Sequence, residues 1–450
     1  MNLKKNELRF LEKLFIWSLV TEPMMYFMFT DVNVTGFGTS LSRLLQLLVL
    51  IGFLLRLMIF RNNLLFPNPL NNLYSSIWMY FGFMIFSTIL GLTFFNSYDF
   101  QINISRLVFR PLIEVFILVY TILYFIFFTV YFLKEKEAID YFFKIFHRLF
   151  LLSFVIGLLD VGAWYLFNYD LVGIQLLNYR NVGVRFHGFF GEPRDAFGAL
   201  ILWIAMFYLR EYWRANKKTN KNVIFFIFFT SLLTLSLSAF LSIIFSIILV
   251  IIFAFKYFSN RQKIQLLCIL FITVFFLFFA ASKVDRFNQY MNFNKTYSEL
   301  SKNKQITGSI RLQRVDIIPI WERWTEVREF NIIPIITGTG IASSAFTNME
   351  HKLSFNYGPI NDYDIEMPRS NLVRIFYDTG IIGLVLFIYI FLSVLKKGNV
   401  NSKSIVIMTL FVLGCFLGHR SYFPFIFLGV LIAVINQKKL LSSIQIESNN

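Results

Sequence analysis

Charged residues are scarce in this 450-residue sequence. Only 15% of the residues are charged, whereas 57% are hydrophobic and 19% are aromatic. So little charge cannot cover that much apolar surface, which excludes an ordinary soluble protein. Cysteine is also nearly absent: Cys268 and Cys415 both lie in apolar runs, which excludes a disulfide framework. His147, His351 and His419 are scattered without the spacing of metal ligands, so we expect no metal.

The sequence is rich in long stretches without charged residues. The run from Val223 to Phe255 holds 33 residues and no charged side chain. As one helix it would be about 50 Å long, whereas the hydrocarbon core of a bilayer is roughly 30 Å thick. We therefore predict two membrane spans joined by a tight turn near residues 236–238. Similar segments along the chain predict an all-α, polytopic integral membrane protein with about twelve transmembrane helices.

The basic residues predict how these spans are oriented. With twelve spans, the Lys-rich connections fall on the same side as both termini, and the positive-inside rule makes that side the cytoplasm. The net charge of +16 then reports orientation, and we expect no nucleic-acid partner. We predict one membrane domain (1–436) with an uncleaved first span, outer loops at 169–194 and 283–371, and a cytoplasmic tail (437–450).

The two predicted faces differ in the type of basic residue. On this topology the inner side carries 16 Lys and 7 Arg, and the outer side carries 14 Arg and 5 Lys. A guanidinium is a planar fork that binds phosphate through two hydrogen bonds at once. The outer face is therefore predicted to handle a phosphorylated or otherwise anionic ligand. Chance, together with Arg side chains reaching towards the interface, is the simpler alternative.

The first candidate site is the predicted outer loop 180–195. It brings three basic residues, a histidine and two acids close together: Arg180, Arg185, His187, Glu192, Arg194 and Asp195. Pro193 fits the start of a helix that has Asp195 in its first turn. A solvated loop before a capped helix is the alternative, whereas a buried, paired charge cluster at a membrane edge indicates function.

The second candidate site lies in the long outer loop 283–371. Arg311, Arg314, Arg323 and Arg328 share a stretch of helical character with Trp321 and Trp324. An amphipathic helix lying on the membrane surface is an alternative that is compatible with substrate binding. The sequence Gly338-Thr339-Gly340 follows, and its glycines predict a turn with unusual backbone angles.

The third candidate site opens the tenth predicted span. Asn371, Arg374 and Asp378 are spaced so that they share one face of a helix. Arg106, Arg110 and Glu114 form a similar stripe entering the fourth span. We expect the polar groups there to face away from lipid, and such stripes also serve simply to hold helices together.

These three sites, in this order, resemble the O-antigen polymerase and ligase superfamily of bacterial envelopes (Wzy-type). The resemblance rests on the segment Arg185-Phe186-His187-Gly188-Phe189-Phe190-Gly191-Glu192-Pro193, on Ser309-Ile310-Arg311 with Gly338-Thr339-Gly340, and on Ser370-Asn371 with Gly380-Ile381-Ile382-Gly383. It covers roughly residues 150–395 and includes the many spans with one large outer loop. Ligases of the family typically have His-Asn where this chain has Ser370-Asn371, which favours a polymerase.

The resemblance implies a glycosyltransferase of the bacterial cytoplasmic membrane that joins glycans carried on undecaprenyl pyrophosphate at the outer face. By resemblance, Arg185 and Arg311 hold carrier pyrophosphates. We predict substrate binding by Arg180, Arg194, Arg314, Asn371 and Arg374 as well. The activated bond already exists, so no nucleotide, metal or other cofactor is expected. Glu192 is the first candidate for the general base, with His187 second and Asp195 as a further candidate; a flippase and a chain-length regulator are possible partners.

Two other functions remain open from the sequence. A ligase of the same superfamily would attach the finished polymer to its acceptor, and the missing histidine speaks against it. A lipid-linked oligosaccharide flippase also has about twelve spans, but it would usually show paired halves and charged residues at mid-membrane. Asp160 is the clearest charged residue inside a predicted span. A sensor or scaffold without catalysis is a third alternative.

Overall fold

The computed structural model describes most of the helical part of the chain. It covers residues 10–21, 48–49, 51–52, 71–99, 105–116, 118–119, 129, 136–169, 171, 185–190, 193–214, 218–234, 237–283, 314–354, 368, 370–397, 400, 402–418 and 423–449. Within these residues 86% are helical and none forms a strand. The all-α prediction is therefore confirmed for the described part of the chain.

The named helices follow one another with short connections wherever both ends are described. They are α1 (Phe10–Thr21), α2 (Asn71–Thr93), α3 (Ser105–Val108), α4 (Lys136–Phe167), α5 (Pro193–Trp213), α6 (Lys221–Leu232), α7 (Leu237–Ala254), a 3-10 turn (Phe255–Tyr257), α8 (Asn260–Lys283), α9 (Arg314–Arg328), α10 (Ile333–Thr337), α11 (Ser343–Ser354), α12 (Asn371–Lys397), α13 (Lys403–Gly418) and α14 (Phe423–Asn449). Residues 110–116 are helical too.

The predicted break in the longest charge-free run is confirmed. Helix α6 ends at Leu232 and α7 begins at Leu237, so the turn lies slightly before the predicted position. The backbone carbonyls of Thr230 and Ser231 accept hydrogen bonds from the backbone N–H groups of Leu233 and Thr234, which closes the end of α6. Two short helices therefore replace one helix that would be too long for a bilayer.

Three of the described helices are long and apolar enough to cross a membrane. The qualifying segments are Ser75–Thr93, Glu137–Phe167 and Asn371–Lys396. Four further helices are apolar but shorter, between 10 and 17 residues. The structure thus contains helices that fit a bilayer, and the full count of twelve spans remains a prediction.

Aromatic side chains form much of the core between α4 and α5. Phe146 and Phe150 stack with their ring centroids 4.0 Å apart, and His147 stacks on Phe207 at 4.2 Å. The indole Nε1 of Trp203 donates a hydrogen bond to Nδ1 of His147 at 3.0 Å. His147 is thus held by packing and one hydrogen bond from α5, which is a structural role.

Small residues let α7 and α13 approach each other closely. Gly414 and Gly418, four residues apart on α13, face Ser246 and Ser242 of α7. A Cβ atom on Gly414 would lie 2.1 Å from the Ser246 Oγ and 2.6 Å from its Cα. The Ser246 hydroxyl donates across the contact to the Phe411 carbonyl at 3.1 Å. This is the small-residue packing that joins helices in lipid, where the hydrophobic effect does not hold them together.

The Gly414→Ala variant tests this contact. Because the new methyl group would collide with α7 backbone atoms, we expect a loss of about 1–3 kcal/mol of stability. Gly82→Ala in α2 is the matched control, because nothing lies within 4 Å of its added Cβ, and there alanine should be neutral or stabilising. Thermal unfolding of both purified variants measures the difference, and equal melting temperatures would contradict the packing model.

Candidate functional site

Helix α12 is interrupted at Gly380. The backbone of Gly380 has φ 65° and ψ −168°, far from helical values, so two helical segments meet there. A Cβ on Gly380 would lie 2.3 Å from the Ile336 carbonyl oxygen and 2.6 Å from the Gly338 nitrogen. Glycine is needed here both for the backbone angles and for the close approach of α10 and the residues after it.

The interruption exposes carbonyl groups of α12, and residues from elsewhere in the chain bind them. The Asp378 carbonyl accepts hydrogen bonds from the Gly340 N–H at 2.8 Å and from the Ser87 hydroxyl at 2.7 Å. The Tyr377 carbonyl accepts from the Thr339 N–H at 3.3 Å. Irregular backbone inside an apolar protein must be satisfied in this way.

The predicted turn Gly338-Thr339-Gly340 is confirmed. Gly338 has φ 74° and Gly340 has φ 102°, values that residues with a Cβ atom rarely adopt. The turn continues to Ile341, whose carbonyl accepts a hydrogen bond from the Tyr98 hydroxyl at 2.9 Å. Burial, and then the charge of Asp378, raises the pKa of Tyr98, so its phenol stays protonated and keeps donating.

The Asp378 carboxylate binds the start of α11. It accepts from the Ala342 N–H at 3.0 Å, the Ser344 N–H at 3.3 Å and the Ser343 hydroxyl at 3.3 Å. A negative charge at a helix N-terminus is favourable because the free N–H groups there carry partial positive charge. Asp378 therefore joins α11, the glycine turn and α12 through its side chain and its backbone.

Arg323 of α9 is buried against the same part of α12. Its guanidinium donates to the Tyr377 carbonyl at 2.7 Å and to the Thr339 hydroxyl at 2.8 Å, and it lies 4.0 Å from the centroid of the Tyr377 ring. It also pairs with Glu326 at 2.6 Å. Burial raises the pKa of Glu326, and Arg323 opposes this shift. The Tyr377 hydroxyl donates to the carboxylate of Glu322.

A chain of alternating charges extends from α12 to the helical residues 110–116. Arg374 pairs with Glu114 and lies 3.8 Å from the Asp378 carboxylate, and Arg110 pairs with Glu114 at 2.6 Å. The Glu114 side chain is fully buried. The described parts of the two polar stripes predicted from the sequence therefore meet, and the four charged groups in contact comprise two positive and two negative charges. An anionic ligand would have to compete with Glu114 and Asp378 for Arg374.

The loop 185–190 forms a second polar centre against α4. The His187 Nε2 lies 3.4 Å from an Asp160 carboxylate oxygen, and its Nδ1 is 3.0 Å from the Gly188 carbonyl. The other Asp160 oxygen accepts from the Leu171 N–H at 2.8 Å. The Ser153 hydroxyl accepts from the Phe189 N–H at 2.9 Å. Asp160 thus anchors two separate parts of the chain beside α4.

Contacts along the bundle place both polar centres at the same end. The Phe186 N–H reaches the Leu233 carbonyl at 3.5 Å, which puts loop 185–190 beside the turn between α6 and α7. Near the start of α7, Gly418 lies against Ser242. The Ser370 hydroxyl then donates to the Leu417 carbonyl at 3.1 Å. The loop and the start of α12 therefore share this end, which we call the polar end.

The opposite end is rich in lysine. The Lys403 Nζ donates to Gln262 at 2.6 Å, and the Lys438 Nζ donates to the Tyr212 carbonyl at 3.0 Å. Arg214 pairs with Asp140, with a 2.8 Å hydrogen bond from its Nε. We call this the Lys-rich end. The separation of the two ends matches the two faces predicted from the basic residues, while the side of the membrane that each faces remains a prediction.

The predicted site residues fall into three groups. Arg180, Glu192 and Arg311 lie outside the described residues. Arg194 and Arg314 lie in the first turn of α5 and at the start of α9, respectively, without a described side chain. Arg185 is half-buried in the loop, and His187, Asn371 and Asp195 are buried. The predicted helix start at Pro193, with Asp195 in its first turn, is confirmed.

Sequence reasoning missed the hydroxyl groups that hold the interruption together. Ser87 and Thr88 of α2, and Tyr98 after it, all bind the backbone around the glycine turn. Nothing in the sequence around them indicates the distant backbone groups that they bind. Gly380 was detectable: a glycine directly after Asp-Thr inside an apolar helix signals a special backbone position.

Among the described residues, no three His, Cys, Asp or Glu side chains gather in a way that could hold a metal ion. Comparison of the chain with protein-family models and with curated proteins finds no match.

The Glu114→Gln variant tests the charge chain. Removing one partner of a buried ion pair leaves uncompensated charge, so we expect a loss of about 3–5 kcal/mol of stability. Asp140→Asn is the matched control: its partner Arg214 is half-exposed, and such pairs contribute about 1 kcal/mol or less. Thermal unfolding of both variants in detergent measures the contrast. Equal losses would show that Glu114 does not hold the two arginines as described.

Proposed function

We propose that this protein is a membrane-embedded glycosyltransferase that polymerises lipid-linked oligosaccharide repeat units. One observation carries the proposal: the bundle gathers loop 185–190, the glycine turn and the start of α12 at its polar end, away from its Lys-rich end. Each of them belongs to a motif on which the resemblance to the Wzy-type superfamily rests, whereas residues 191–192 and 309–311 of those motifs lie outside the described part of the chain. Separate sequence motifs that converge in space are expected of a site rather than of independent packing features.

In this proposal the chain spans the bacterial cytoplasmic membrane about twelve times, with both termini and the Lys-rich end in the cytoplasm. The polar end then faces outward, where lipid-linked repeat units are presented. The three long apolar helices and four shorter ones support a membrane location. The positive-inside rule supports the direction.

The proposed reaction transfers the growing glycan from undecaprenyl pyrophosphate to a hydroxyl of a new lipid-linked repeat unit. A bond forms between the acceptor oxygen and the anomeric carbon, while the bond from that carbon to the phosphate oxygen breaks. The pyrophosphate leaves with the electron pair, and arginines such as Arg185 and Arg311 stabilise its charge. The acceptor proton passes to a base. Attack from the opposite face by a single displacement inverts the anomeric centre.

The geometry around His187 favours Glu192 as that base. Both ring nitrogens of His187 face oxygen atoms, Asp160 on one side and the Gly188 carbonyl on the other. His187 is also buried at 1% exposure, so its ring is closed off from a substrate. In the proposed mechanism His187 therefore positions the loop, and Glu192 takes the proton.

A lipid-linked oligosaccharide flippase is the second candidate function. The observation in its favour is the interruption of α12, because transporters often build their substrate sites at broken helices. A ligase is less favoured, because Ser370 stands where ligases carry histidine and its hydroxyl donates a hydrogen bond to the Leu417 carbonyl.

Deletion of the gene distinguishes the three candidate functions. A polymerase mutant makes single repeat units, a ligase mutant accumulates polymer on the lipid carrier, and a flippase mutant makes neither product.

The arginine substitutions Arg185→Ala and Arg311→Ala should abolish long glycan chains and leave single repeat units, because pyrophosphate loses its charge partners. Glycan gels from a deletion strain that expresses each variant provide the measurement, with protein level in the membrane as the first control. Arg261→Ala, an exposed arginine at the Lys-rich end, should keep the full ladder. A normal ladder from either test variant would remove that arginine from the mechanism.

Reporter fusions should place the two ends on opposite sides of the membrane. Fusions within 169–194 and 283–371 are expected outside, and fusions within 214–221, 256–263 and 397–403 are expected in the cytoplasm. A reporter active only in the periplasm, paired with one active only in the cytoplasm, measures this. Cytoplasmic signals from both 169–194 and 283–371 would overturn the proposed function, because the substrate would be on the wrong side.

A further inference from the structure

A cluster of cations surrounds the 3-10 turn between α7 and α8 at the Lys-rich end. The Lys263 Nζ lies 4.8 Å from the centroid of the Phe255 ring, and the Lys403 Nζ lies 4.2 Å from that of Phe258. The Lys256 Nζ lies 5.2 Å from the centroid of the Tyr257 ring. These contacts place three ammonium groups on the aromatic rings of one short turn, and such contacts stabilise a cation at the ring face.

The sequence segments on either side of this cluster contain no acidic residue. The sequence contains no Asp or Glu between Glu211 and Asp285, nor between Asp378 and Glu447. Those two acid-free stretches include all of α7, α8 and α13, the helices that carry or flank the cations. Lys256 is exposed, and Lys263 and Lys403 are half-buried. Among the described residues, no acid forms an ion pair with these three lysines, so the cluster presents positive charge at the surface.

An exposed apolar surface begins directly beside the cluster. On α8, Ile264, Leu267 and Phe271 are spaced to share one helix face, and Phe271 is 72% exposed. On α7, the exposed residue Ile252 lies just before the turn. Cations next to a strip of exposed apolar side chains match a molecule that has an anionic group at one end and a hydrocarbon chain at the other.

We infer that this cluster, defined by Lys256, Lys263 and Lys403 around residues 255–258, binds the phosphate of an anionic phospholipid. The acyl chains of that lipid would lie along the apolar face of α8. Ammonium groups near a membrane surface each contribute about 1 kcal/mol to binding anionic lipid, and aromatic rings are favoured at the same depth. The inference does not depend on the proposed polymerase activity.

The Lys263→Gln/Lys403→Gln double variant tests this site. Native mass spectrometry of the purified full chain, titrated with phosphatidylglycerol or phosphatidylcholine, measures bound lipid. The wild-type protein should prefer phosphatidylglycerol, and the double variant should bind it about ten- to thirty-fold more weakly, with binding of phosphatidylcholine unchanged. The Lys256→Gln variant changes only an exposed side chain, so it should fold normally and should also bind phosphatidylglycerol more weakly than wild type. It therefore tests the site even if the double variant misfolds.

The matched control removes two charges elsewhere at the same end. Lys218 and Lys221 lie before and at the start of α6 and are exposed, so Lys218→Gln/Lys221→Gln should leave phosphatidylglycerol binding within about twofold of wild type, because salt screens exposed charges that do not contact the phosphate. Equal losses in both double variants would overturn the site in favour of a diffuse charge effect. Displacement of phosphatidylglycerol by an equal concentration of inorganic phosphate would also overturn it, because the apolar contacts would then contribute nothing.

Discussion

The interruption of α12 at Gly380 is the constraint on which the polar end of this protein depends. A helix in an apolar environment cannot leave its carbonyl groups unbonded, so every group released at the break needs a partner. Those partners come from α2, α9 and the turn before α11. Asp378 adds its carboxylate to the start of α11. One glycine therefore determines how four separate segments must pack.

Charge pairing is the second organising feature. Arg110, Glu114, Arg374 and Asp378 form a row of alternating charges that crosses from residues 110–116 to α12 between Glu114 and Arg374, so these charges compensate each other. Such pairing does not by itself stabilise a protein, because desolvation offsets the attraction. Its value lies in specifying which helices meet.

Much of the helical framework was predictable from the sequence, whereas the contacts of the site were not. Apolar runs and their charged boundaries located the helices, including the break between α6 and α7, because these features act locally. The spacing of Asn371, Arg374 and Asp378 predicted a shared face but not its partner. Ser87 meets Asp378 across 291 positions of sequence, and no local pattern encodes such a pairing. Glycine turns were visible because their backbone requirement is local.

The contact between α12 and α2 has a consequence for the order in which the chain is assembled. The first half of α12 contains the Tyr377 and Asp378 carbonyls, which bind partners outside the helix, and the buried Asp378 carboxylate. It is therefore poorly suited to enter lipid without those partners. Helix α2 precedes it by almost 300 residues and supplies the Ser87 hydroxyl, so in co-translational insertion this partner is made first. If α12 crosses the bilayer as proposed, its insertion includes a docking step, in which α12 packs against the α2 helix that was synthesised earlier.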